Sequence, residues 1–147
     1  MEADRPRIVE EPNQRVLRLQ EEAHSFTVKA HRAILAARRL EAKAARLALK
    51  EKKLRGKASA RVARSSSIGD RASALLHEEQ AVDKELKIER SHQLMFEAEA
   101  LRQRAKAVDS RAAQLVIAAR GKLRTSSDFL VEAKRLFLEA EATKASI

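Results

Sequence analysis

Positions spaced alternately three and four apart, all but one of them apolar, run through the first third of the chain in a single frame, and such a repeat leaves few folds open. The positions read Val16, Leu19, Ala23, Phe26, Ala30, Ala33, Ala37, Leu40, Ala44, Leu47, Glu51 and Leu54, more than five heptads in one frame. A 3.5-residue repeat keeps one stripe of a helix turned toward a partner helix, so the spacing predicts a coiled-coil-like seam. It recurs as Leu94, Ala98, Leu101, Ala105, Val108, Ala112, Leu115 and Ala119, and again as Phe129, Ala133, Leu136, Ala140, Thr143 and Ile147. Alanine alternates with larger residues, an arrangement that lets two backbones approach closely while the large side chains fill space beside them. Alanine is also the best helix former, but that preference would not hold it in step with the heptad.

Punctuation divides the chain. Only three glycines and two prolines interrupt its 147 residues. Pro12 and Asn13 suit the first turn of a helix, and Gly56 suits its end, although KASARVAR could carry the helix two turns further. In SSSIGD, Ser67 and Asp70 form a capping pair for a second helix that runs to Gly121. TSSD at 125–128 caps a third. The expected helices are 13–56, 70–121 and 127–146, preceded by a flexible acidic segment, 1–12. The fold class is all-α: one elongated domain, 13–147, built as a long antiparallel helical hairpin with a short third helix. One irregularity falls in KIERSHQ, 87–93, where the frame of Leu75, Val82 and Leu86 gives way to that of Leu94 onward. A stutter or local unwinding is expected there.

Composition agrees with long helices. Charged residues make up 35% of the chain and there is no tyrosine or tryptophan, the profile of Ala/Glu/Lys/Leu/Arg-rich helical proteins. The absence of cysteine excludes disulfides and thiolate metal sites and favours an intracellular location. No apolar run approaches the roughly 20 residues of a membrane span, and the acidic start, MEADRPRIVEEP, is unlike a signal or transit peptide. The cytoplasm is the expected compartment; KKLRGK leaves the nucleus open, although such short basic runs recur by chance.

A hairpin turning near residue 63 would set residue i against 126 − i. Basic 29–48 would then face acidic 78–97, opposite charges that select partner and direction across a seam. The third helix would return beside the start of the first. Residues 29–64 hold 13 Lys and Arg against two Glu, a balance of +11 in a chain whose net charge is +10. Under this register the second half of that run, Lys50, Lys52, Lys53, Arg55, Lys57, Arg61 and Arg64, forms an uncompensated basic tip. One sign of charge gathered at one end points to an acidic partner: a protein surface, a nucleic-acid backbone or an anionic membrane.

Two further features mark the first helix. Val28, Leu35, Ala42 and Leu49 repeat every seven residues away from the seam, with Ile34 beside Leu35, which predicts a stripe where another helix docks, from a second copy or another protein. The run Arg61 to Ser67 sets arginine three residues before serine, so Ser65, Ser66 and Ser67 are candidate phosphorylation sites whose phosphates would offset the basic charge.

Catalysis and metal binding find little footing. Glu21/His24 and Glu89/His92 match the Glu-x-x-His spacing of di-iron bundles, but in the hairpin register they lie about 15 Å apart. No phosphate loop, HExxH or nucleophile–base pair occurs, and no cofactor or small-molecule substrate is implied. With no aromatic among the basic residues, base stacking is excluded from the tip; with no Trp or Tyr, a membrane-surface module is disfavoured. The sequence therefore reads as a non-enzymatic scaffold or adaptor subunit of a larger assembly, with an RNA- or DNA-backbone-binding assembly factor as the alternative.

Overall fold

The computed structural model describes residues 10–75 and 80–147. They form two long helices packed against each other, α1 (Pro12–Ser73) and α2 (Ala81–Ala145). The chain divides into two compact units, to which both helices contribute. One comprises Met1–Leu40 with Ala118–Ile147 and is here called the terminal unit; the other, Glu41–Ile117, is the loop-side unit.

Helix α1 begins at Pro12, whose missing N–H costs nothing in a first turn. The first backbone bond runs from Arg15 N to the Glu11 carbonyl, so Asn13 lies inside the helix. Neither Gly56 nor Gly121 stops a helix. A glycine ends a helix by turning to positive φ, and no residue among those described does so. Good helix formers surround both glycines, and an interior glycine costs only about 1 kcal/mol relative to alanine. Thr125, expected in a cap, instead bonds back within its helix, its Oγ1 donating to the Gly121 carbonyl at 3.0 Å, and Ser73 Oγ donates likewise to that of Gly69 at 3.1 Å. Such i−4 bonds let hydroxyl residues sit in a helix interior. The expected third helix, 127–146, is thus the last part of α2, and the expected break at 57–69 is the last part of α1. Helix α2 also passes unbroken through 87–93.

Burial follows the repeat. Every seam position expected from Val16 to Leu54 is buried or half-buried, as are those from Leu94 to Ala119 and from Phe129 to Thr143; Ile147 is exposed. The frame extends beyond those blocks. In α1 it continues through Ala58, Arg61, Ser65, Ile68, Ala72 and Leu75, all buried or half-buried. In α2 it starts at Ser91 and passes through buried Ser126. Val82 and Leu86, expected in a seam, are exposed.

Small residues recur every seventh position on both helices, and many are fully enclosed: Ala30, Ala37, Ala98 and Ala105 are each 0% exposed. In the loop-side unit Leu54 and Ala58 pack with Ala98, Leu101 and Ala105. In the terminal unit Leu19 and Ala23 pack with Leu136 and Ala140, beside Phe26, whose ring lies 6.0 Å from that of Phe129. Each leucine withdrawn from water contributes roughly 1.5–3 kcal/mol.

These contacts fix an antiparallel offset different from the expected one. Ser65 meets Ser91 and Arg61 meets Glu97 in the loop-side unit; Arg15 meets Glu139 in the terminal unit. Opposed residue numbers therefore sum to about 156, not 126. Helix α1 ends at Ser73 and α2 begins at Ala81, so the turn expected near residue 63 does not occur there: the serine run stays helical.

Two substitutions test this packing. A Cβ at Gly56 would meet nothing within 4 Å, so Gly56→Ala should raise stability by about 1 kcal/mol; a helix ending at Gly56 would instead be weakened. Ala105→Leu should cost about 1–3 kcal/mol through overpacking, while Leu at exposed Ala107 should stay within about 0.5 kcal/mol. Urea denaturation followed by circular dichroism measures both.

Candidate binding surfaces

The revised offset changes what the basic run faces. Lys50, Lys52, Lys53, Arg55, Lys57 and Arg64 are exposed on α1, but they lie in the body of a helix that continues to Ser73 and form no hairpin tip. Two of the cations expected there are partly occupied. Arg55 pairs with Glu51 one turn back, and half-buried Arg61 donates from Nε to Glu97 Oε2 at 3.1 Å, with Arg90 3.9 Å from the same carboxylate. Lys50, Lys52, Lys53, Lys57 and Arg64 take part in no ion pair among the described residues.

The expected pairing of basic 29–48 with acidic 78–97 does not occur, because it required the 126 offset. Within the loop-side unit, 41–57 packs along 100–117, which is itself basic through Arg102, Arg104, Lys106 and Arg111. Together these two segments carry 11 cations against Glu41, Glu51 and Asp109, a balance of +8. In the terminal unit, 29–40 and 118–127 carry seven cations and no acid, +7. The second basic segment is visible in the sequence as the acid-free stretch between Asp109 and Asp128.

The residues expected to form a docking stripe on α1 differ in exposure. Leu35 and Leu49 are exposed and Val28 and Ile34 half-buried. Helix α2 carries further apolar surface that its seam frame does not include. Met95 and Phe96 are exposed in the loop-side unit; Leu123, Leu130, Val131, Phe137 and Leu138 are exposed in the terminal unit. The signal in the sequence is a second seven-residue repeat, Leu123, Leu130, Phe137, one position after the seam. Beside it lies an open groove of about 490 Å³, lined by Gln20, His24 and Thr27 from α1 and by Leu130, Lys134 and Phe137 from α2.

Polar groups near this face are committed to neighbours. Arg135 bonds Glu132 and Glu139, and its guanidinium holds the Glu132 carboxyl below the usual carboxylate range. Glu139 also reaches Arg15 across the helix pair at 2.8 Å.

The serine run is divided by burial. Ser65 is 3% exposed; its hydroxyl lies 2.8 Å from that of Ser91 and donates to the Ser91 carbonyl at 2.9 Å, while Ser91 Oγ donates to the Ser65 carbonyl at 3.1 Å. A kinase cannot reach Ser65 without separating the helices. Ser66 and Ser67 are exposed.

Among the described residues no three His, Cys, Asp or Glu side chains gather around a point where a metal ion could sit, and no helix is long and apolar enough to cross a membrane. His24 and His92 belong to different units. No family model, curated protein or solved structure matches this chain.

Proposed function

We propose that the protein is a non-catalytic helical scaffold or adaptor that holds an acidic partner against the loop-side unit. The observation that carries this reading is the meeting of two basic segments, 41–57 and 100–117, with an excess of +8. The two helices would repel each other less there if either were neutral or acidic, and exposed like charges in this number raise the local potential. Internal ion pairs account for few of them: Arg55 with Glu51 and Arg102 with Glu99. An acidic surface laid over Lys50, Lys52, Lys53 and Lys57 would relieve that repulsion. The outer stripe of α1, Leu35 and Leu49 with Val28 and Ile34, supplies apolar area where a partner helix can dock beside the charge.

A nucleic-acid backbone is the second reading. It is favoured by cations spread along both helices, which suit a polyanion whose phosphates are also spread out, through counterion release. Contact would be to phosphate and not to bases, since no aromatic side chain lies within either basic segment.

Replacing Lys50, Lys52, Lys53, Arg55 and Lys57 together by glutamine should leave helicity by circular dichroism unchanged and lower recovery of native partners at least tenfold, about 1.4 kcal/mol in binding. Affinity purification at native salt, with and without nuclease, separates the two readings. If phosphates are the ligand, nuclease removes the retained material, and the slope of log K against log salt becomes shallower by about 0.9 for each phosphate that the variant no longer neutralises. Undiminished recovery by the fivefold variant would overturn both.

A further inference from the structure

We propose that two copies of this chain pair through the outer face of α2 in the terminal unit, antiparallel, about a twofold axis passing between Leu130 and Val131. This pairing is independent of the acidic-partner reading, since it uses a different unit and different residues.

The seam of α2 here is Ser126, Phe129, Ala133, Leu136 and Ala140, turned toward α1. Three columns of residues seven apart lie next to one another on the flank of α2 that borders this seam and turns outward from it. The first is Leu123, Leu130 and Phe137, 41%, 43% and 50% exposed. The third is Arg124, Val131 and Leu138, the two apolar members 67% and 56% exposed. Between them runs Arg120, Ser127, Lys134 and Glu141, all exposed.

This face is its own complement. A twofold axis between 130 and 131 sets the middle column on itself in reverse, so Arg120 meets Glu141 of the second copy twice over and Ser127 meets Lys134. The same axis sets each outer column on itself in reverse: Leu123 on Phe137 and Leu130 on Leu130 in the first, Val131 on Val131 and the aliphatic stem of Arg124 on Leu138 in the third. Apolar meets apolar and opposite charges meet, in one register. A parallel pairing would instead place Arg120 on Arg120 and Glu141 on Glu141, so charge selects the antiparallel direction. Neither Arg120 nor Glu141 takes part in an ion pair among the described residues, whereas Glu132, Glu139 and Arg135 on the adjacent side are already engaged with one another and with Arg15. The groove between Phe137 and Leu130 of α2 and Gln20, His24 and Thr27 of α1 presents only uncharged or histidine side chains from α1; it leaves room for the partner's helix to seat without meeting a buried charge. A stripe repeated over three heptads on one exposed face exceeds the scattered apolar residues ordinary on protein surfaces.

The test uses the full chain and two charge reversals, both at exposed positions. Sedimentation equilibrium from roughly 1 to 100 µM should show a monomer–dimer equilibrium for the wild type, a range that brackets a micromolar Kd. Arg120→Glu alone and Glu141→Arg alone each replace two attractive pairs by two repulsive ones and should weaken dimerisation about tenfold, with helicity unchanged. An equimolar mixture of the two variants restores attraction in the mixed pair, so it should dimerise as the wild type does; the double variant, Arg120→Glu with Glu141→Arg, should do so too. Leu130→Glu with Val131→Glu should abolish the dimer. A wild type that stays monomeric throughout would overturn the proposal, including where this face proves to bind another protein. So would a dimer indifferent to Arg120→Glu, or failure of the two single variants to rescue each other.

Discussion

Close approach of two backbones at small-residue layers is the constraint on which the rest of this structure depends. Ala30, Ala37, Ala98 and Ala105 have no exposed surface, and between Ser65 and Ser91 the helices come near enough for each hydroxyl to bond the other helix's carbonyl. Gly69 belongs to the same region: a Cβ there would stand 3.7 Å from Ser91 Oγ. Large residues alternate with these layers and fill the space at their sides, so Leu54, Leu94 and Leu101 are buried although neither helix contributes a wide apolar face. With the apolar stripe so narrow, most of each helix surface is left for charge and for other contacts. Both the basic segments and the apolar columns of α2 occupy that remaining surface.

Much of this is legible in the sequence, because the heptad frame is a periodic signal sustained over dozens of residues. Two long antiparallel helices and nearly all their buried positions follow from it. Local punctuation misleads. Gly56 and Gly121 look like stops, and SSS and TSS like caps, because glycine and serine carry those meanings in short helices. Here Ser65 and Ser126 stand in the small-residue column, where a hydroxyl is as acceptable as a methyl provided it finds an acceptor. Serine at a cap and serine in an alanine layer are the same letter, and only the frame running through them tells the two apart: Ala58 to Ser65 to Ala72 in α1, Ala119 to Ser126 to Ala133 in α2. KIERSHQ misleads in the same way, since its Ser91 opens the α2 frame. The basic run stands out in the sequence, but its location depends on where the chain turns, and so does the identity of the segment facing it.

The offset itself is the least legible property, for a physical reason. A column of alanines repeating every seven residues fits its partner nearly as well after a shift of seven, so apolar packing distinguishes neighbouring offsets weakly. Residues that break the monotony must choose. Ser65 and Ser91 satisfy each other only when directly opposed. Phe26 and Phe129 fill one layer together at 6.0 Å, with the Lys29 ammonium 5.0 Å from the Phe26 ring. Arg61, a long cation at a large-residue position, reaches Glu97, and Arg15 reaches Glu139. Each is a modest interaction, since exposed ion pairs contribute about 1 kcal/mol or less, but each forms only at the adopted offset, whereas the alanine layers can form at several.

Charge therefore acts in two opposed senses along these helices. At Arg15–Glu139 and Arg61–Glu97 it favours the offset the structure adopts. Along 41–57 with 100–117, and along 29–40 with 118–127, the same offset sets cations beside cations. The alternative, with 29–48 against 78–97, would have neutralised much of the first helix. Self-repulsion among exposed charges is tolerated because water and salt screen it over about 10 Å, and because the alanine and leucine layers beneath are not themselves charged. A helix pair selected only for its own stability would gain by replacing several of these lysines with glutamate on either member of the pair. The excess lies on both helices, in segments that meet, and it is this least favourable electrostatic feature of the fold that the proposed acidic partner would offset.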